Sequence, residues 1–148
     1  MTADAMTRTE VDETLRAAGA GVLSLTDGAE TYAIPESFGY DGDYVYFQLV
    51  HGSDSDKMDF VATTEIATLT AFTEQPARSV IVRGELGPVP DGDDPVAMRA
   101  IAANATIPTV DISLDTDPDA LSFEFYRLCP EERSGRKFGA VPTTPGDP

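Results

Sequence analysis

A lysine stands among serines and aspartates directly after an aromatic, strand-like run. The segment HGSDSDKMDF covers residues 51–60, and its Lys57 is one of only two lysines in the 148-residue chain. Ser53 and Ser55 are good helix-capping residues, so Lys57 falls in the first turn of a predicted helix. The helix dipole disfavours a cation there by about 0.3–1 kcal/mol and stabilises an anion at the exposed backbone N–H groups.

Two alternative interpretations explain why a lysine stands at position 57: it binds phosphate, or it pairs with a carboxylate. A phosphate would accept hydrogen bonds from Ser53 and Ser55 and would be neutralised by the ammonium of Lys57. In the alternative, Lys57 is a surface residue that pairs with a neighbouring carboxylate. The candidates for that partner are Asp54, Asp56 and Asp59.

A second group of basic residues lies near the C-terminus, in the run YRLCPEERSGRKFG. Its SGRK part, which contains Arg136 and Lys137, offers flexible backbone and a guanidinium that suits phosphate or carboxylate. Pairing with Glu131, Glu132 or the acidic surface is the alternative interpretation.

Other familiar catalytic patterns do not appear. His51 is the single histidine and no serine lies in a nucleophile elbow, although the position of His51 beside the proposed phosphate turn keeps a site role open. Cys129 is the single cysteine, and no Cys/His cluster has the spacing of a metal site. We therefore expect no bound metal, and we find no glycine-rich dinucleotide or Walker loop.

The charge balance excludes several classes of partner. The chain has 26 acidic and 10 basic residues, a formal net charge of −16, which repels nucleic acids and anionic lipids. This composition resembles that of proteins from salt-loving archaea. The chain contains no run of about 20 apolar residues and no signal-peptide pattern at its start, so we expect a cytoplasmic protein.

Strand and helix signals position these residues. A helix is predicted from a Thr9 cap to a Gly19 stop, and another over 94–104. Pro35 lacks a backbone N–H, which favours an edge, a bulge or an opening toward a ligand. Six strands are predicted, over residues 21–25, 31–40, 44–50, 65–74, 79–89 and 121–128.

Together these elements predict one domain over residues 1–148, with flexible ends at 1–8 and 140–148 and a loop at 112–120. Six short antiparallel strands and a few helices indicate a mainly β fold, a small barrel decorated with helices. A β-sandwich is the alternative.

The order of these features resembles the pyridoxamine 5'-phosphate oxidase-like family of flavin-binding split barrels, including its nitroimidazole-resistance-like branch. The resemblance spans about residues 12–139. It rests on the pattern P-x-x-F-x-Y-D-G-D-x-x-Y-F at 35–47, on Ser-x-Lys at 55–57, and on the closing run YRLCPEERSGRKFG.

The resemblance implies a homodimer that holds FMN at the subunit interface. Ser55 and Lys57 would then hold the flavin phosphate, with Arg136 and Lys137 contributed by the partner subunit. Asp56 departs from many members, which carry a basic residue there, and it would repel phosphate unless it points to solvent. The remaining residues implied to lie along the flavin are Ile34, Pro35, Glu36, Ser37, Phe47 and Gln48.

Two functions from different classes follow. In the first, the protein is an oxidoreductase in which FMN passes a hydride between a donor and a small-molecule acceptor. In the second, it stores or senses a flavin or another planar cofactor, such as haem or deazaflavin, without turnover. A shared fold does not separate the two.

Overall fold

Backbone hydrogen bonds join eight strands into one sheet in the part of the chain that the structure describes, and three helices pack against it. The structure is a computed structural model and describes residues 3–52, 56–104 and 122–139. In chain order the elements are β1 (Ala3–Ala5), α1 (Arg8–Ala18), β2 (Ala20–Thr26), β3 (Thr31–Ser37), β4 (Gly39–Tyr40), β5 (Val45–His51), α2 (Asp56–Thr63), β6 (Ala67–Glu74), β7 (Ala77–Pro88), α3 (Asp94–Asn104) and β8 (Ser122–Phe138).

The sheet is antiparallel throughout and curls toward closure. Its strands lie in the order β3-β2-β6-β7-β8-β5-β4, and β1 pairs with β8 outside this path. β3 also approaches β5, although no ladder joins the two among the described residues. The prediction of a mainly β split barrel is confirmed, and one continuous sheet stands against the β-sandwich alternative.

The structure has two more strands than the six predicted. β1 is one addition, and the predicted strand over 31–40 is divided into β3 and β4. The division falls at Phe38, whose side chain is fully buried. Gly39 then passes directly under α3, where an added Cβ would lie 2.3 Å from the carbonyl carbon of Ala100. Any larger residue at Gly39 would push the helix away from the sheet.

The first helix begins earlier than its predicted cap at Thr9. The observed cap is Thr7, whose hydroxyl accepts the Glu10 N–H at 3.2 Å while the Glu10 carboxylate accepts the Thr7 N–H at 3.0 Å. This reciprocal arrangement satisfies two backbone donors, which a cap at Thr9 would leave open. The predicted stop at Gly19 is confirmed, with a φ of 65° that favours glycine.

The closing strand β8 runs through 17 residues, whereas the prediction ended it at residue 128. Pro130 lies at a register irregularity opposite Gly84, and such a bulge tolerates the missing N–H. The SGRK run, which we expected to offer flexible backbone, pairs with β7 and its last two residues also pair with β1. That expectation is wrong, because these residues are paired within the sheet.

The N-terminal stretch predicted to be flexible includes residues 3–5, which form β1 on the edge of β8. Residues 1–2 and 140–148 and the loop predicted at 112–120 lie outside the described residues. None of the helices in the described ranges is both long and apolar enough to cross a membrane.

The main core lies between the concave face of the sheet and the helices α1 and α2. Each fully buried Leu, Val or Phe contributes about 1.5–3 kcal/mol of transfer free energy. A smaller second core lies under α3 around Tyr46. The largest fully buried side chains are Tyr46, Phe38, Phe47, Leu15, Leu23, Leu25, Leu49, Leu69 and Leu128.

Candidate functional site

Lys57 lies in the first turn of α2, as its sequence context predicted. The helix begins at Asp56, so Lys57 is its second residue. Asp56 is exposed, which directs its charge toward solvent. Ser53 and Ser55, predicted to hold phosphate beside Lys57, lie outside the described residues, as does Asp54.

The partner of Lys57 is a residue that neither sequence interpretation named. Its Nζ lies 3.4 Å from Oε1 of Glu36 on β3, and both side chains are mostly buried, at 19% and 9% exposure. The predicted pairing with Asp56 or Asp59 does not occur. Two residues that the resemblance assigns to one ligand are thus brought together by the fold.

Ring packing fixes the position of α2 over β3. Tyr32 stacks on Phe60 with ring centroids 5.1 Å apart and an angle of 11° between the planes. Residues 32, 34 and 36 share one face of the strand because strand side chains alternate. Ile34 packs against the main core on that face, so it lies beside Glu36 under α2. The sequence offered no signal for this stack, since the rings are 28 residues apart.

The other two predicted residues of β3 point to the opposite face of the strand. Pro35 is exposed on β3, which is the edge strand next to β2, as its missing N–H predicted. Ser37, at the end of the strand, is 3% exposed. The four-residue stretch predicted to face one flavin ring therefore supplies side chains to both faces of an edge strand.

On β5 the two predicted residues also alternate. Phe47 is fully buried in the main core, so its ring packs within the protein and the strand can offer a ligand only backbone at this position. Gln48 is partly exposed on the other face and already interacts with neighbouring groups.

The C-terminal basic pair lies on β8, which is separated from β3 in the strand order by β2, β6 and β7. Lys137 is committed to α1, because its Nζ lies 2.7 Å from Oε2 of Glu10. That bond and the Thr7 N–H lower the pKa of Glu10 to about 2. Arg136 is exposed and has no carboxylate partner among the described residues.

Arg136 lines a shallow cavity of about 290 Å³ on the convex face of the sheet. The same face carries two exposed apolar side chains, Phe72 at 60% and Ile81 at 42% exposure. We call this surface the outer face, and its central register row consists of Pro35, Val22, Thr70, Ile81 and Ser134 on five neighbouring strands.

His51 ends β5 five residues before α2 begins. Its Nε2 is buried without a hydrogen-bond partner and lies 3.6 Å from Oε2 of Glu124. Burial, and then the charge and hydrogen bond of Glu124, raise the pKa of Tyr126. His51 therefore lies beside Glu124 of β8, which in turn interacts with Tyr126. The sequence singled out neither of these two residues.

Several solved structures share this architecture. A FAD-binding protein from Mesorhizobium loti superimposes with a TM-score of 0.75 at 19% identity, covering 94% of this chain and 100% of that one. A 5-nitroimidazole antibiotic resistance candidate from Bacteroides thetaiotaomicron has a TM-score of 0.67 at 16% identity, with 94% and 90% covered.

The FAD and heme binding protein from Mycobacterium smegmatis gives a TM-score of 0.68 at 15% identity, covering 97% of this chain and 77% of that one. At these identities the likeness shows a shared fold. No curated protein matches the chain in sequence.

The family assignment rests on the sequence itself. The model of the pyridoxamine 5'-phosphate oxidase family matches residues 7–137, from the cap of α1 to the penultimate residue of β8. This range contains every described element except β1 and includes both Lys57 and the C-terminal basic pair. The chain belongs to the pyridoxamine 5'-phosphate oxidase family.

Proposed function

We propose that this chain binds FMN and is an oxidoreductase, with the flavin phosphate held at the first turn of α2. The observation that carries the proposal is Lys57, a mostly buried cation in a helix first turn, where the dipole favours an anion instead. A phosphate beside this turn would meet backbone N–H donors and an ammonium that is already positioned by Glu36. Two structural neighbours, the FAD-binding protein from Mesorhizobium loti and the FAD and heme binding protein from Mycobacterium smegmatis, support a flavin.

The residues of the chain fit such a ligand. An ammonium has three donors, so Lys57 can keep one on Glu36 and direct another to phosphate. Pro35 has no backbone N–H to donate, so edge strand β3 lacks one hydrogen-bond donor at this position. A planar ring system can approach the backbone there. Ile34, Glu36 and Gln48 lie on strands that converge where the sheet splits between β3 and β5.

Bound FMN would supply hydride transfer, which needs no further acid or base from the protein. The chain's own contribution is to hold the phosphate, to orient the ring and to exclude water. The substrate is a small molecule, and the electron donor is a reduced nicotinamide or a reduced deazaflavin.

A homodimer forms part of the same proposal. A small curled sheet encloses a planar ligand on one side only, and the outer face presents Phe72 and Ile81 to solvent. A second copy related by a two-fold axis would cover these side chains, because such an interface pairs the same patch on both subunits. The outer face also carries Arg136, which would then lie in the interface.

The test is to identify the cofactor and then follow its reduction. Absorption spectra and mass spectrometry after denaturation should show FMN in the purified protein. Anaerobic mixing with NADH, NADPH or a reduced deazaflavin should then bleach the flavin bands.

A flavin that is bleached by dithionite but by none of these donors would favour storage or sensing. A Soret band would indicate haem, in line with the neighbour named as binding both FAD and heme. Protein that is purified without a cofactor and does not take up FMN would contradict the proposal.

A further inference from the structure

Two arginines of α1 and one of β8 converge on the turn between β4 and β5. Arg8, the first residue of α1, donates from Nη2 to the carbonyl oxygen of Gly42 at 2.7 Å. Arg133 of β8 donates from Nη2 to the carbonyl oxygen of Asp43 at 3.1 Å. The guanidinium carbon of Arg16 lies 5.5 Å from the ring centre of Tyr40, within cation–π range.

The nearby carboxylates leave two of these guanidiniums unpaired. Asp12 pairs with Arg8, with 3.0 Å between Oδ1 and Nε, and also accepts the Tyr40 hydroxyl. Within the described ranges, Arg16 and Arg133 form no ion pair at all. Such cations are unexpected in a chain with 26 acidic and 10 basic residues.

The two aspartates of the turn itself do not neutralise the cluster. Asp41 accepts the N–H groups of Asp43 and Tyr44 on Oδ1 and the Tyr46 hydroxyl on Oδ2. Asp43 is exposed and makes no ion pair with any of the three arginines. The carboxylate of Asp41 is therefore occupied by its own turn and by the Tyr46 hydroxyl.

Unused donors remain in the cluster. A guanidinium carries five N–H donors, and the contacts named above use only a few of those on Arg8 and Arg133. The Nε of Arg133 is buried and has no acceptor within the described residues. A buried donor without a partner destabilises the fold unless a ligand or water accepts its hydrogen bond. Burial and the bond to Asp12 raise the pKa of Tyr40, and the charges of Arg133 and Arg8 act in the opposite direction.

We propose that Arg8, Arg16 and Arg133 form a binding site for a phosphate group, separate from the turn at Lys57. Guanidinium forks match oxyanions in charge and geometry. Donors that approach from α1 and from β8 suit a tetrahedral oxyanion, whereas one planar carboxylate is satisfied by a single fork. The phosphate is either the free ion or the monoester group of a small metabolite.

The test is calorimetric titration of the full chain with inorganic phosphate, with sodium chloride adjusted to keep the ionic strength constant. Parallel titrations with AMP and adenosine distinguish the free ion from a monoester, since adenosine carries the same base without phosphate. Arg16→Gln is the central variant, because Arg16 contacts the Tyr40 ring and does not hold the turn. Arg83→Gln on the outer face removes the same charge and is its matched control.

The wild type and Arg83→Gln should bind phosphate equally, and Arg16→Gln should bind it on the order of tenfold more weakly, as expected for a lost charged hydrogen bond. Protein saturated with FMN, whose phosphate would occupy the turn at Lys57, should still bind phosphate, and thermal melts should show that each variant is folded. Phosphate binding to the FMN-saturated protein that survives in Arg16→Gln, or that disappears when FMN is added to the wild type, would overturn the site. Wild-type protein without saturable phosphate binding would show that the arginines only clamp the turn.

Discussion

The ammonium of Lys57 lies 3.4 Å from the carboxylate of Glu36, and this pair connects the first turn of α2 to the edge strand β3. The two residues are 21 positions apart in the chain. Because both side chains are mostly buried, breaking the pair leaves a charge with little access to water. Glu36 therefore holds Lys57 in position at the proposed phosphate turn.

We expect Glu36→Gln to lower the free energy of unfolding by about 1–2 kcal/mol. A charged hydrogen bond contributes about 1.5–3 kcal/mol, and the 3.4 Å separation places this pair at the weak end. Urea unfolding of the variant measures the difference. Glu85→Gln, an exposed glutamate on β7, is the control and should change stability little. Equal effects of the two substitutions would show that the pair does not stabilise the fold.

The salt bridge between Lys137 and Glu10, the capping-box residue of α1, should make the stability of the fold depend on pH. The bond to Lys137, followed by the Thr7 N–H, lowers the pKa of Glu10 from 4.5 to about 2. A lowered pKa in the folded state gives stability that is present above the unfolded value and is lost as pH falls through the folded value. The contribution should therefore disappear between about pH 4.5 and pH 2.

The melting temperatures of the wild type and Glu10→Gln check this assignment across that range. The variant should melt lower at neutral pH, and the difference should shrink as the pH approaches 2. Glu13→Gln removes the same charge from the same helix and serves as the comparison. The carboxylate of Glu13 lies 4.0 Å from Nη1 of Arg78, a longer separation than the 2.7 Å between Glu10 and Lys137. A difference that stays constant with pH would contradict the role of Glu10.

Ile81→Lys should convert the proposed homodimer into a monomer. The substitution places a charge on the outer face, where Ile81 is 42% exposed and would be covered by the second copy. Light scattering should report twice the monomer mass for the wild type and the monomer mass for the variant. Met98→Lys, at a 57% exposed position on α3, should remain dimeric. A wild-type monomer that retains FMN would exclude the interface.

The melting temperature should rise substantially toward molar salt. A net charge of −16 repels itself, and added salt screens that repulsion, with a Debye length of about 10 Å at 0.1 M. Thermal melts over a series of sodium chloride concentrations provide the measurement. A flat profile would remove the interpretation of the acidic residues as a salt-adapted surface.

Local signals carried much of the fold prediction. The alternation of apolar residues located the strands, Gly19 ended α1, and Pro35 marked the edge strand. The correct cap was also visible, because Thr7 and Glu10 have the spacing of a capping box. The long β8 was hidden by Pro130, which normally ends a strand and is accommodated here only by a bulge against Gly84.

The site was less accessible from sequence because its contacts depend on register and helix placement. The turn at Lys57 could be located from its caps, whereas the partner Glu36 is fixed by how α2 packs on β3. The face that each residue of 34–37 presents follows from the pairing of β3 with β2. A shift of one residue in that register would exchange Glu36 for Pro35 at the ion pair.

The most direct test of a flavin phosphate at α2 compares FMN with riboflavin in Lys57→Ala, using fluorescence titration. FMN binding should weaken by about 1.5–3 kcal/mol, while riboflavin, which has no phosphate, should bind as it does to the wild type. Arg99→Ala, which removes an exposed charge from α3, should leave both affinities unchanged. Equal losses for the two ligands, or no loss of FMN affinity, would contradict the assignment of Lys57 to the phosphate.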